Sequence, residues 1–276
     1  MLFLKRQMPL AALALAALQL LGPAAPARAQ VANALENKQV EIAYIPPRSA
    51  ALQPVYDDLV QRAVLEELRN FLAPLRLPRP IKVQTEECGA DTRPYRPGGA
   101  ATICYEQVAK IAAISAEHAA TDSSDYNQAL VGTFTAAMMS QVALEIFDVL
   151  QIPVWGREQD AADRLTAFIM LQFGEDIANV TISGAANFFS WSNETWSGRD
   201  FERAQSPQAQ RFYNFLCIAY GGSPHVFGDL ADKGILPQHR AERCRGEYEQ
   251  VRKAFNMRIM PFIDPDLLVK SRAVRW

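Results

Sequence analysis

Five carboxylates, Glu145, Asp148, Glu158, Asp160 and Asp163, crowd either side of the turn Ile152-Pro153-Val154-Trp155-Gly156. Oxygen donors at that density could hold a hard cation such as calcium. The plainer reading is solvated charge on two helix surfaces, with Asp163 paired to Arg157 or Arg164. Other chemistries find less to stand on. The three histidines, His118, His225 and His239, are too far apart for any two to share one helix face as metal ligands. His118 reads as a helix C-terminal residue facing the dipole, and the other two as surface residues. A serine nucleophile on a hydrolase elbow would need GxSxG, which is absent, and Ser140 falls inside a helical stretch with no evident base. The four cysteines contain no CxxC pair, which argues against a thiol redox or zinc role.

Two helices must position the acidic cluster. From Ala129 to Leu150, Phe134, Met138, Val142, Ile146, Val149 and Leu150 form a broad apolar stripe, ended by Pro153 and Gly156. A second helix is expected from Arg157 or Glu158 to Phe173, with Glu158 and Asp160 in its first turn, where carboxylates favour the positive end of the dipole. Upstream, KQVEIAYI (38–45), IKVQTEE (81–87) and ATICYE (101–106) carry the β-branched residues of strands. The apolar spacing between Ala50 and Ala73 predicts one long amphipathic helix, with Pro54 tolerable in its first turn. Another helix follows over 107–118. Downstream, helices are expected over 176–191, 208–221 and 236–262. Phe188, Phe189, Trp191 and Trp196 could line a cleft or simply pack a core.

The amino end reads as a secretory leader. Lys5 and Arg6 precede an apolar run from Met8 to Leu21, and Ala27-Arg28-Ala29 forms a small-x-small cleavage site before Gln30. A retained anchor is the rival, but the run is short and Gly22-Pro23 breaks it. No later segment has the roughly twenty uninterrupted apolar residues of a spanning helix, so a soluble, exported product is expected. Its 247 residues would carry 25 basic against 30 acidic side chains, with no long basic run. Nucleic acid, which requires clustered positive charge, is not the expected partner. In an exported chain, four cysteines read as two disulfides. Of three possible pairings the sequential one is favoured: Cys88–Cys104 would close a turn-rich loop between two strands, and Cys217–Cys244 would staple two helices.

Several motifs, taken in order, resemble a bacterial family of metallopeptidase-like proteins of unknown function. ECGADTRPYRPGGAATICYE (87–106) resembles that family's disulfide-closed strand pair. GREQDAADRLTAFIML (156–171) is similar to its Gly-Arg-Glu-Glu-Asp-Ala-Ala-Asp segment except at the fourth residue. RFYNFLCIAYG (211–221) and LPQHRAERCRGEY (236–248) are similar to its two C-terminal signatures. The resemblance implies an HExxH helix whose first His stands twelve residues before Ile152. There the chain has Ser140, with Gln141 at the Glu and Leu144 at the second His.

In an intact site two imidazoles four residues apart reach one zinc ion from a single helix face, and the adjacent Glu activates the bound water. In gluzincin-like enzymes the third ligand is a Glu on the next helix, four residues before an Asp that hydrogen-bonds a ligand His. Here Gln159 stands four residues before Asp163. Leu144 has no lone pair to give, Ser140 is a poor neutral ligand, and the Gln141 amide has no useful basicity near neutral pH. Gln159 keeps the shape of Glu without its charge.

The resemblance therefore implies an α+β, zincin-like fold, a mainly helical body with a small sheet, as a single degenerate domain over 30–276 behind the leader 1–29. The expected protein is a catalytically inactive, metallopeptidase-like module of the periplasm or cell exterior, needing no cofactor and holding a peptide or envelope protein. The alternative is an active hydrolase, with a metal such as zinc held by the remaining carboxylates or with a site outside the motif.

Overall fold

The structure, a computed structural model, describes residues 39–89, 98–122, 126–192 and 206–273. The leader, its cleavage site and Trp196 lie outside the described residues. Three strands form where the β-branched runs predict them: β1 (Val40–Tyr44), β2 (Ile81–Glu86) and β3 (Ala101–Cys104), in the order β1-β2-β3. Both pairings are parallel, with Val40 opposite Ile81 and Val83 opposite Ala101. The direction of β3 follows from the disulfide. In a parallel pair both carboxyl ends lie together, and Glu86 faces Cys104 in register. Cys88, two residues beyond Glu86, thus reaches Cys104 with a Cα–Cα separation of 5.4 Å. A hairpin would have carried Cys104 to the opposite end of the sheet.

The segment between β1 and β2 crosses over as two helices rather than one. Helix α1 (Gln53–Gln61) and helix α2 (Val64–Leu72) are separated at Ala63, whose φ of 51° is left-handed. The break lets α2 aim Leu65, Leu68 and Leu72 inward. Its amino end is held from the sheet: Leu65 N–H donates to Tyr44 Oη at 2.7 Å, and Tyr44 Oη donates to Glu66 at 2.7 Å. The first of these gives a partner to one of the N–H groups that the first turn of a helix leaves unpaired.

After β3 the chain is almost wholly helical: α3 (Tyr105–Asp122), α4 (Tyr126–Val149), α5 (Glu158–Met170), α6 (Glu175–Trp191), α7 (Gln208–Gly222) and α8 (Gln238–Arg258). A helix that the apolar spacing does not announce, α9 (Pro265–Ala273), closes the described chain. Its signal is local all the same: Asp264 Oδ1 accepts from the Asp266 and Leu267 N–H groups, and Pro265 follows the cap.

Helix α4 is the axis of the body, packed against α3, α5, α6 and β3. Every residue from Ala136 to Ile146 is buried, so over that stretch the helix has no solvent face. By length and composition α4 could cross a membrane, a property the expectation from uninterrupted apolar runs misses. Yet 72% of its most apolar window is buried within the protein, as in a core helix. Tight crossing with α6 depends on glycine: a Cβ on Gly132 would strike the Thr181 carbonyl, and one on Gly184 the backbone of Gln128.

The second disulfide, Cys217–Cys244, joins α7 to α8 with a Cα–Cα distance of 4.8 Å. The loops closed span 16 and 27 residues. Loop-closure entropy then gives each bridge about 3 kcal/mol, the longer slightly more. Replacing both Cys217 and Cys244 by Ala should lower the unfolding free energy by about that amount in a urea titration. Unchanged stability would mean that the unfolded chain already holds α7 and α8 together.

Candidate functional site

Helices α4, α5 and α7 meet at one buried carboxylate. Asp163 of α5 has no solvent exposure. Its Oδ1 accepts from Ser140 Oγ of α4 at 2.9 Å and from Gln159 Nε2, one turn earlier on α5, at 2.9 Å. Arg211 of α7 donates to both oxygens, Nε to Oδ2 and Nη2 to Oδ1, each at 2.9 Å. The guanidinium lies 4.4 Å from the centroid of the Phe189 ring, so its other face is apolar. Thr166 Oγ1, 3.4 Å from Ser140 Oγ, completes the cluster. Three residues away on each helix, Asp160 accepts from Asn214 Nδ2 at 2.8 Å and from Ser206 Oγ at 2.7 Å. Helices α5 and α7 are therefore clamped by two polar pairs at matching spacing, 160 with 214 and 163 with 211.

Of the positions that the motif comparison singles out, the structure gathers Ser140, Gln159 and Asp163 on one point. Gln141 adjoins them. It is buried, its Oε1 has no hydrogen-bond partner among the described residues, and it lines a cavity of about 320 Å³. Leu144 belongs to the main hydrophobic core and does not reach that cavity. The cavity is lined by Gln159 and Arg211, by Phe188 and Phe189, and by Glu106 and Lys110 of α3. Glu106 also ties the disulfide-closed segment to this edge, accepting from the Cys88 and Gly89 N–H groups at 3.1 and 2.7 Å. Phe188 and Phe189 serve both readings of the aromatic cluster, since each is a core residue that walls the cavity. Trp191 stacks on His118 with ring centroids 4.4 Å apart.

The carboxylate cluster does not converge. Asp163 pairs with Arg211, not with Arg157 or Arg164 as its neighbours in sequence suggest; Arg164 faces Glu247. Glu145 is not a surface charge at all. It is fully buried, and Arg79 bridges it and Asp148 from the segment preceding β2. His225 bonds Glu175 at 2.8 Å, and both side chains are exposed. Among the described residues, the one grouping of three potential ligand atoms within 4.8 Å is Cys88, Cys104 and Glu106, and its two sulfurs are joined as a disulfide.

Burial pushes the Glu145 carboxyl above its ordinary value, and Arg79 opposes only part of that shift. Ionisation is thus disfavoured in the folded state. The stability this group contributes is complete below the ordinary value of 4.5 and is lost as pH rises through the raised one. Urea midpoints of the native protein should fall over that window relative to those of Glu145→Gln. Parallel pH profiles would show that Arg79 fully compensates the burial.

The donors at the motif positions do not fit a zinc ion. A hydroxyl, two amides and an alkyl group carry no anionic or imidazole donor. The one carboxylate among them already accepts from a guanidinium, a hydroxyl and an amide. A second cation there would have to displace the Arg211 charge. Arg211 itself is the residue that sequence reasoning passes over. It opens the RFYNFLCIAYG motif, but nothing local marks it as the partner of a side chain 48 residues away.

A family model described as "Putative metallopeptidase" (DUF4344) matches residues 44–258, a span that takes in β2, β3, the buried carboxylate and both disulfides. No curated protein and no solved structure matches the chain.

Proposed function

The chain belongs to the metallopeptidase-like family matched over residues 44–258, and we propose that it is a catalytically inactive member, exported to the periplasm or beyond, that serves as a binding or structural module. One observation carries this reading: the carboxylate next to the former ligand positions is held by Arg211, Ser140 and Gln159. The Ser140 hydroxyl and the Gln159 amide donate to Asp163 and offer a metal no charge. With no metal held there to polarise a water into a nucleophile, the site keeps the packing and loses the chemistry. On this reading the helical body descends from a zincin scaffold, and the cavity beside Gln141 is the remnant of its cleft. The occupant in keeping with its walls is a peptide segment of an envelope protein. Its N–H could donate to Gln141 Oε1, which has no partner among the described residues, and its side chain could pack on Phe188 and Phe189.

The test is elemental analysis of protein purified from the periplasmic fraction, followed by zinc titration. The expected result is no stoichiometric metal after dialysis against a weak chelator. One tightly retained zinc per chain would overturn the assignment. Mass spectrometry of the same preparation should find an amino terminus at Gln30; a chain that retains residues 1–29 would contradict export with leader cleavage.

A further inference from the structure

A second cavity of about 320 Å³ lies beside the Gly132–Gly184 crossing, enclosed by α2, α4 and the start of α6. Its wall is made by Leu68, Phe71, Phe134, Met138, Phe173 and Ile177, and almost no polar surface reaches it. Thr181, which also borders it, already donates its hydroxyl to the Ile177 carbonyl at 2.7 Å. At the mouth, Val131 is 50% exposed and Ile177 39%. Glu67 is the one charged residue of the lining; it faces solvent and forms no ion pair among the described residues.

We propose that this cavity binds a small amphiphile, burying a single hydrocarbon chain and holding a cationic head group beside Glu67. Size argues for a small ligand. The volume is at the low end of small-molecule pockets, whereas an amphipathic helix would need a groove offering anchor positions over several turns. Beyond the Thr135 hydroxyl the lining offers a chain's polar groups almost nothing, so an occupant bearing several of them would lose their hydration for little in return. Buried apolar area supplies the attraction, and the lone carboxylate at the rim selects the sign of the head group. The site is independent of the polar cavity beside Gln141.

Decyltrimethylammonium and decanoate, each kept well below micelle formation, test this by isothermal titration calorimetry against the full-length protein. The cation should bind with one-to-one stoichiometry and about tenfold more tightly than the anion, the range a partly screened surface carboxylate can supply. In ¹³C-methyl-methionine spectra, Met138 and Met139 should shift on binding. Glu67→Gln, a change at an exposed position, should bring the two affinities to within about twofold. Val131→Trp, which covers the mouth, should weaken both. Equal affinities in the native protein, a preference that survives Glu67→Gln, or unmoved Met138 and Met139 signals would each overturn the proposal. So would a cationic amphipathic peptide that binds and shifts these methyls when decyltrimethylammonium does not.

Discussion

Arg211→Ala should destabilise the protein by about 3–5 kcal/mol, the range for removing one partner of a buried ion pair. Asp163 has no exposure and the Arg211 side chain is 15% exposed, so water cannot replace the two lost hydrogen bonds. The remaining donors, Ser140 and Gln159, are neutral and share a single oxygen, which leaves Oδ2 with nothing. Arg211→Lys should recover only part of the loss, because an ammonium cannot form the paired contact of a planar guanidinium. The combination Arg211→Met with Asp163→Leu should be far milder than either single change, since it removes both charges and fills their space. Urea denaturation of the three variants measures this directly. If Arg211→Ala shifts the unfolding free energy by less than about 1 kcal/mol, the cluster is wetter than its burial indicates.

The second large effect is a gain. Ser140→His, Leu144→His and Gln159→Glu together should create zinc binding with Kd of about 1 µM or tighter, some 8 kcal/mol of affinity where the native donors offer almost none. The second-layer group for such a site is already placed, since Asp163 lies within hydrogen-bond reach of position 140. Two costs stand against the gain. Leu144 is part of the main core, so a polar ring there should cost about 1–3 kcal/mol. Arg211 would place a fixed positive charge beside the metal and compete for Asp163. Adding Arg211→Met to the three changes should therefore tighten zinc by about tenfold, or about 1.4 kcal/mol. Peptidase activity should require Gln141→Glu as well, to supply a base. Competition with a chromophoric chelator, on variants shown by circular dichroism to be folded, provides the readout. A folded set of variants with no zinc affinity would mean that α4 and α5 have drifted from metal-binding geometry, and the descent of the cleft would lose its support.

Much of the molecule was legible residue by residue. The strands and the helices over 129–150 and 208–221 rest on patterns that span a few residues. So does the cap at Asp264, although periodicity alone passed over it. The helix expected over 50–73 shows where such patterns fail. Its apolar spacing runs through Ala63 without interruption, yet the chain turns left-handed there, so that α2 packs on β1 while α1 lies against α2 and α3.

The cysteine count, together with the expected export, set the number of bridges, but the direction of β3 was decided by bringing Cys88 and Cys104 to the same end of the sheet. The sequence by itself determined which side chains stand at positions 140, 141, 144 and 159, and it determined the periodicities of 2 and 3.6 that build the elements, because both are local properties of the chain. Only the tertiary structure decided what those side chains do. Glu145 reads as one more charge in an acidic stretch until the core closes around it, and Asp163 reads as a neighbour of Arg157 or Arg164 until α7 delivers Arg211. Desolvation and through-space pairing depend on what the rest of the chain packs against a residue, and no spacing within a single segment encodes that.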